Sequence, residues 1–500
     1  MFANPSRALA PAFAALAFAA LAFAATAGAT AAADDPASRL VAALLGETPM
    51  IEDLRALTDE IGGRPTGSLA NQRSVEWAAG RFREAGVEVG VEPFEMPELW
   101  LERSAAATIV GEGVSFAPRV AAMPYSTATP AGDLVAPLLD GGRGAEDDFA
   151  RLGEAAAGAV VLIETDELLD VEGLFREYTE AAEIEERAFA AGVAGLVYQG
   201  SRPGNQLYRH NASLGAANER PLAVIERDGA ARALSLLRFG RALSIRLDLD
   251  IETGGPYTSH NVVGEIRGSA TPEEFVVVGA HLDSWGLGDG ALDNGCNVAL
   301  VIDLARQMKR LGLTPQRTVR FALFNGEEQG LYGSLGYTLT HAGELDRTVM
   351  ASSYDIGSGR IGGFFTGGRP ETHGVLERAL APVAGLGPFE HPDLPIVGTD
   401  NYDFMMQGVA NLVANMESAN YGPHYHARSD TFDKVDLEQL RLNAAIAAAV
   451  TWGFANDDVP WGRQTRAEIQ QLVDSTDLGQ QMKTWGLYSA WEKGERGRAP

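Results

Sequence analysis

Phe275-Val276-Val277-Val278-Gly279-Ala280-His281-Leu282-Asp283 is the stretch on which the fold turns. Phe275 to Ala280 is an unbroken run of apolar and small residues, as in a strand buried on both faces. Such strands belong to parallel sheets, whose crossover connections lay helices over both sides. The next element agrees. Asn294 to Leu311 carries Val298, Val301, Ile302, Ala305 and Met308 at helical spacing. Thr318 to Phe324, Val349 to Tyr354 and Leu412 to Met416 read as further strands, and Asp436 to Phe454 as a closing Ala-rich helix. This alternation predicts an α/β fold with a mostly parallel central sheet and flanking helices.

Upstream, Ile51 to Leu57 and Gln72 to Ala85 read as helices, separated by turn chemistry from Gly62 to Gly67. A strand is expected over Val87 to Phe94. From Ala107 to Leu249 short apolar runs alternate with helices. The strands are Gly158 to Ile163, Gly195 to Tyr198, Pro221 to Ile225 and Leu243 to Leu249; the helices are Ala181 to Ala191 and Asp228 to Phe239. Nothing there gathers His, Cys or paired carboxylates, so the segment reads as an inserted accessory domain. A chain of 500 residues is too long for one ordinary core. The expected division is an export segment at 1–33, the start of the catalytic domain at 34–106, the insertion at 107–255, the catalytic domain at 256–456 and a tail at 457–500. The tail is expected to hold one amphipathic helix with Trp461, Trp485 and Trp491, and no chemistry.

Arg7 followed by the apolar run Ala8 to Ala27, then small residues up to Ala33, has the form of a secretory signal. An uncleaved anchor is the rival, because the run approaches spanning length. The signal reading places the mature chain outside the cytoplasm, secreted or periplasmic, with no stable membrane insertion after cleavage. The formal net charge of −27 repels phosphate backbones and argues against nucleic-acid binding. The lone cysteine, Cys296, excludes an intramolecular disulfide and reads as a packing residue.

Ligands of open parallel sheets collect beyond the carboxyl ends of the strands. Each predicted strand here runs into metal-competent residues. Ala280 is followed by His281 and Asp283, with Asp293 after a Gly-rich loop; Phe324 by Glu327 and Glu328; Tyr354 by Asp355; Met416, through a loop, by His424, Tyr425 and His426. Two zinc ions need about five or six N/O donors including a bridging carboxylate. His281, Asp293, Glu328, Asp355 and His426 supply that mixture, whereas calcium would favour oxygen alone. Glu327, beside a ligand without being needed as one, can take a proton from the attacking water. His424 faces substrate or lines its loop. His210, His260, His341, His373 and His391 read as surface or core residues.

Gly286-Leu287-Gly288-Asp289-Gly290-Ala291 matches a dinucleotide fingerprint in letters only. His281 to Trp285 intervene between it and the strand, the helix begins only near Asn294, and no strand-end acid follows at the right distance. It fails as a calcium loop too, because its acids miss the alternate positions.

Ala280-His281-Leu282-Asp283-Ser284-Trp285, Gly290-Ala291-Leu292-Asp293-Asn294-Gly295, Gly326-Glu327-Glu328-Gln329-Gly330 and Tyr425-His426-Ala427-Arg428-Ser429-Asp430-Thr431 resemble the motifs of co-catalytic zinc exopeptidases of the aminopeptidase and glutamate carboxypeptidase superfamily. The His281 to Trp285 start and Gly398-Thr399-Asp400 look most like its carboxypeptidase Q branch. The insertion resembles a protease-associated α/β domain. The resemblance implies two zinc ions per chain bridged by Asp293, with Glu328 and His426 completing one site and His281 and Asp355 the other. It implies Asp283 as the residue orienting His281, Glu327 as general base and Tyr425 as a stabiliser of the tetrahedral intermediate. Ser352 to Ile356, around Asp355, departs from the commoner pattern of the family.

These readings lead to an exported metallo-exopeptidase of short peptides, dipeptidase- or carboxypeptidase-like, with an aminopeptidase as the alternative. The resemblance also admits a homodimer. A glutaminyl cyclotransferase or a non-catalytic binding module would be expected to lack part of this ligand set.

Overall fold

The computed structural model describes residues 35–130, 133–169 and 171–499. The export segment expected at 1–33 lies outside the described residues. Among those described, no helix is long and apolar enough to cross a membrane.

The strand that opened the sequence reading is Thr271–His281, at the centre of a seven-stranded sheet. Arg317–Phe324 and Thr348–Ser353 lie parallel to it on either side, and Asn411–Met416 runs parallel beyond Thr348–Ser353. Outside this parallel core the pairings are antiparallel. Tyr257–Ile266 and then Glu88–Met96 extend one flank, and Ile361–Phe365 edges the other. Ile361–Phe365 carries Gly362 and Gly363 and gave no strand pattern. Gly363, at φ 150°, stands so close to the backbone of Glu390 that any Cβ would collide with it.

Both faces of the sheet are covered, as the continuous apolar run requires. Val276, Val278 and Ala280 face the large core built on the helices Leu69–Glu84, Cys296–Arg310 and Leu437–Asn456. Val277 alternates to the opposite core, with Phe324, Tyr337 and Phe404. The alanines of Leu437–Asn456 are almost all buried, so this helix packs closely along its length.

A second, eight-stranded mixed sheet is built entirely from residues between Leu99 and Gly254. Its parallel core is Leu134–Asp140, Val160–Ile163, Gly195–Gln199 and Leu222–Ile225. Leu99–Gly111 and Leu243–Gly254 pair antiparallel along almost their whole length and lead directly into the paired strands of the first sheet. Leu99–Gly111 gave no strand signal, because its half-exposed sequence mixes charges with alanines. The helix expected from Ala181 extends over Val171–Ala190. Past residue 457 there are three short helices, Arg466–Ser475, Leu478–Thr484 and Tyr488–Glu492, instead of the single one expected. Turns at Thr476 and Trp485 divide what the apolar spacing alone would have joined.

Candidate active site

The four parallel strands deliver their carboxyl ends to one edge of the sheet. His281 is the last residue of its strand, Glu327 and Glu328 follow Arg317–Phe324, and Asp355 follows Thr348–Ser353. His426 lies in the loop beyond Asn411–Met416, and Asp293 in the tight turn Ala291–Gly295 before the Cys296–Arg310 helix.

Two side chains remote in sequence fix that turn. Arg64 is fully buried and donates to the carbonyls of Leu282, Asp289 and Gly290. Asp430 accepts the backbone N–H groups of Ala291, Leu292 and Asp293. Gly290, at φ 62° and pressed against Ser284 and Arg64, has room for no side chain. Burial pulls the Arg64 guanidinium down to about 10 against the pull of Asp430, Asp283 and Asp293.

The structure brings the five sequence-predicted ligands into two groups that share Asp293. His281, Asp293 and Asp355 form one; Asp293, Glu328 and His426 form the other. His281 Nε2 is 3.1 Å from Asp293 Oδ1 and 3.4 Å from Asp355 Oδ1. His426 Nε2 is 2.8 Å from Glu328 Oε2 and 3.4 Å from Asp293 Oδ2. Each imidazole is oriented through its other nitrogen. His281 Nδ1–H points at the carbonyl of Asp283, 3.1 Å away, and His426 Nδ1–H at that of Arg209, 3.3 Å away. Both Nε2 atoms therefore face the carboxylates, which is the nitrogen a metal would take once Nδ1 keeps its proton for the carbonyl.

The electrostatics point the same way. Asp293 Oδ2 and Glu328 Oε1 are buried with no hydrogen-bond partner. Burial, reinforced by Asp355 and Glu328, pushes the Glu327 carboxyl well above its usual range; burial and Asp293 do the same to Glu328. Burial alone would lower His281, but Asp355 and Glu327 hold it well above the ordinary imidazole value. Burial lowers His426 to about 4. Crowded carboxylates with orphaned oxygens beside two imidazoles are a donor set that fits divalent zinc, whose charge would take the place of the proton on His281.

Asp283 does more than orient His281. Its carboxylate lies 3.7 Å from His281 Nδ1, accepts the Thr66 hydroxyl, and receives the N–H groups of Glu327 and Glu328 at 3.4 Å. It therefore positions the candidate base and its neighbouring ligand together. Tyr425 stacks on His426 with ring centroids 3.6 Å apart, and its hydroxyl meets that of Tyr178 at 3.1 Å. His424 turns away to the Ser429 hydroxyl and joins neither group. Cys296 is buried, and burial pushes its thiol up, consistent with packing.

Sequence reasoning missed the residues that wall the cleft. A cavity of about 270 Å³ borders Glu327, Glu328 and His426, and reaches Tyr125, His210 and Asn211. A smaller one, about 90 Å³, borders Asp355 and is apolar, with Leu174, Ile356, Ile396 and Val413. Trp485, from the tail in which no chemistry was expected, lines both. His210, read as a surface or core residue, lies on the wall of the larger one. Only the pairing of segments far apart in the chain creates these walls, so no local pattern signals them. The much larger cavity of about 910 Å³ lies within the second-sheet unit and borders none of the five ligands.

Comparison with known proteins agrees with this geometry. Residues 261–451 match Peptidase family M28. Carboxypeptidase Q of Bos taurus is 26% identical over 413 residues, covering 81% of this chain and 85% of the relative. An aminopeptidase of Pseudomonas aeruginosa is 28% identical over 486 residues, covering 87% and 85%. The crystal structure of a peptidase M28 precursor from Shewanella amazonensis superposes with a TM-score of 0.76 at 26% identity, covering 86% of this chain and 97% of that one.

Proposed function

We propose that this zinc-dependent metallopeptidase is an exported exopeptidase of short peptides, with two zinc ions per chain and dipeptides as its first substrates. The observation that carries the reading is the sharing of Asp293 between two groups of imidazole and carboxylate donors. Glu328 and His426 would hold one ion with Asp293, and His281 and Asp355 the other. Bound there, zinc supplies a Lewis acid for the scissile carbonyl and acidifies water at neutral pH.

The chain's own residues supply the rest. Glu327, held through its N–H by Asp283, takes the proton of the attacking water and returns it to the leaving amine. The Tyr425 hydroxyl donates to the oxygen that becomes negative in the tetrahedral intermediate. Asp283 holds Glu327 and Glu328 in register, and Arg64 holds the turn that carries Asp293.

An aminopeptidase acting on longer peptides is the second reading, and one observation favours it. The acidic residues along the two cavities are Glu98, Glu327, Glu328 and Asp355, and the described lining includes no Lys or Arg. Glu98 and Glu327, the two of these not assigned to zinc, suit a free α-ammonium better than a free α-carboxylate. Similarity to carboxypeptidase Q supports instead a role for the carboxyl end. Turnover of a dipeptide panel in free, N-acetylated and C-amidated form distinguishes them. We expect chelation to abolish all cleavage and zinc to restore it; N-acetylation costing more than amidation would favour the aminopeptidase reading, and the reverse the carboxyl-end reading. Cleavage that survives chelation would overturn the proposal.

A further inference from the structure

Tyr178, Tyr425 and Trp485 border both cavities, one on each side of the metal-ligand cluster. Three separate parts of the chain contribute these rings. Tyr178 comes from the Val171–Ala190 helix over the second sheet, Tyr425 from the His426 loop, and Trp485 from the end of the C-terminal helix Leu478–Thr484. Tyr178 lies 5.0 Å from Trp485 and 4.4 Å from His210, ring centroid to centroid, with its hydroxyl on Tyr425. They form a partition between the two chambers.

We propose that Tyr178 and Trp485 determine specificity by narrowing the chamber on the Asp355 side, so that substrates with a branched aliphatic residue there are preferred over aromatic ones. The inference rests on the exopeptidase reading above. A scissile bond at the centre places one substrate residue toward each chamber. The narrow chamber offers about 90 Å³ between Leu174, Ile356, Ile396, Val413 and Tyr421. A dry apolar cavity that binds benzene measures about 150 Å³. The chamber therefore takes a Val or Leu side chain and refuses Phe or Trp, and its apolar walls leave a charged side chain without a partner. The larger chamber, about 270 Å³, sets no such limit. Removing either ring of the partition would join the two.

The test uses two dipeptide series, X-Ala and Ala-X, with X as Ala, Val, Leu, Phe and Trp, on the zinc-loaded full chain. In the parent, kcat/KM in one series should fall at least about tenfold from Leu to Phe, the scale on which an apolar pocket discriminates by size. In Tyr178→Ala and in Trp485→Ala that fall should shrink to within about threefold. Tyr178→Phe, which keeps the ring and loses only the hydroxyl, should retain it. Calorimetric binding of free Leu and Phe to metal-free protein gives a second readout, with the same loss of preference in the two Ala variants. Tyr178→Leu and Trp485→Leu replace any Ala variant that fails to fold. A parent with no size limit, or a limit unchanged in variants from both sides, would overturn the partition. A parent that cleaves neither series at all would instead overturn the exopeptidase reading.

Discussion

The carboxylate of Asp430 accepts the backbone N–H of Asp293, 3.1 Å away, and takes the N–H groups of Ala291 and Leu292 on its other oxygen. The turn that carries Asp293 is thus held by a carboxyl group four residues beyond His426. This gives the Asp of the His426-to-Thr431 motif a physical task. It ties the last ligand loop to the second.

Replacing Asp430 by Ala leaves three buried N–H groups without their acceptor and frees the turn. Zinc affinity should fall about ten- to a hundredfold, as when other groups that orient ligands are removed. Asp430→Asn keeps an acceptor oxygen and should lose less. Competition titration against a chromophoric chelator measures both. An affinity equal to the parent's in Asp430→Ala would mean that Arg64 alone suffices to hold the turn.

Glu327 and Glu328 are adjacent, yet only Glu328 lies within reach of His426 and Asp293. Glu328→Gln should therefore lower zinc content together with activity. Glu327→Gln keeps shape and should retain zinc while kcat drops roughly a hundred- to ten-thousandfold, the scale of a positioned general base. Metal analysis and kcat on the two variants decide the matter. Zinc lost from Glu327→Gln and kept in Glu328→Gln would exchange their roles.

Glu185, on the Val171–Ala190 helix, is buried with Ser213 on one oxygen and no partner on the other, and burial pushes its carboxyl up to about 7. An unfolded glutamate titrates near ~4.3. The folded state binds this proton more tightly, so the stabilisation is complete below the unfolded value and is lost as pH rises through about 7. Thermal stability should decline between about pH 4 and 7 and level off above that. Glu185→Gln, which cannot ionise, should flatten that decline. Melting curves and exchange of the Ser213 amide across this range check it; equal slopes in parent and variant would refute it.

The parallel core and the ligand positions were legible because both are local in sequence. A doubly buried strand shows itself as a continuous apolar run, and the residue after it falls at the sheet's carboxyl edge by construction. His281, Glu328 and Asp355 could be placed that way. The antiparallel flanks were harder, since Ile361–Phe365 is chosen for close backbone approach to Glu390 and not for side-chain packing. Arg64, read only as part of a turn, gains its meaning from carbonyls more than two hundred residues away. Tyr178, His210 and Trp485 were illegible for the same reason. An aromatic ring on a helix looks alike whether it fills a core or faces a cleft, and only tertiary contact tells the two apart.

The segment holding His426 also pairs with the second-sheet unit. Arg209 N–H donates to the carbonyl of His426 at 3.0 Å, and Arg428 N–H to that of Leu207 at 2.9 Å. The His426 imidazole itself leans on Arg209. A gene fragment starting at Tyr257 would encode all five predicted ligands, yet the loop of the last would lose its bonds to Arg209 and Leu207. Shuffling, trimming or exchanging the second-sheet unit would therefore disturb the loop that carries His426, although none of the five predicted ligands lies in it.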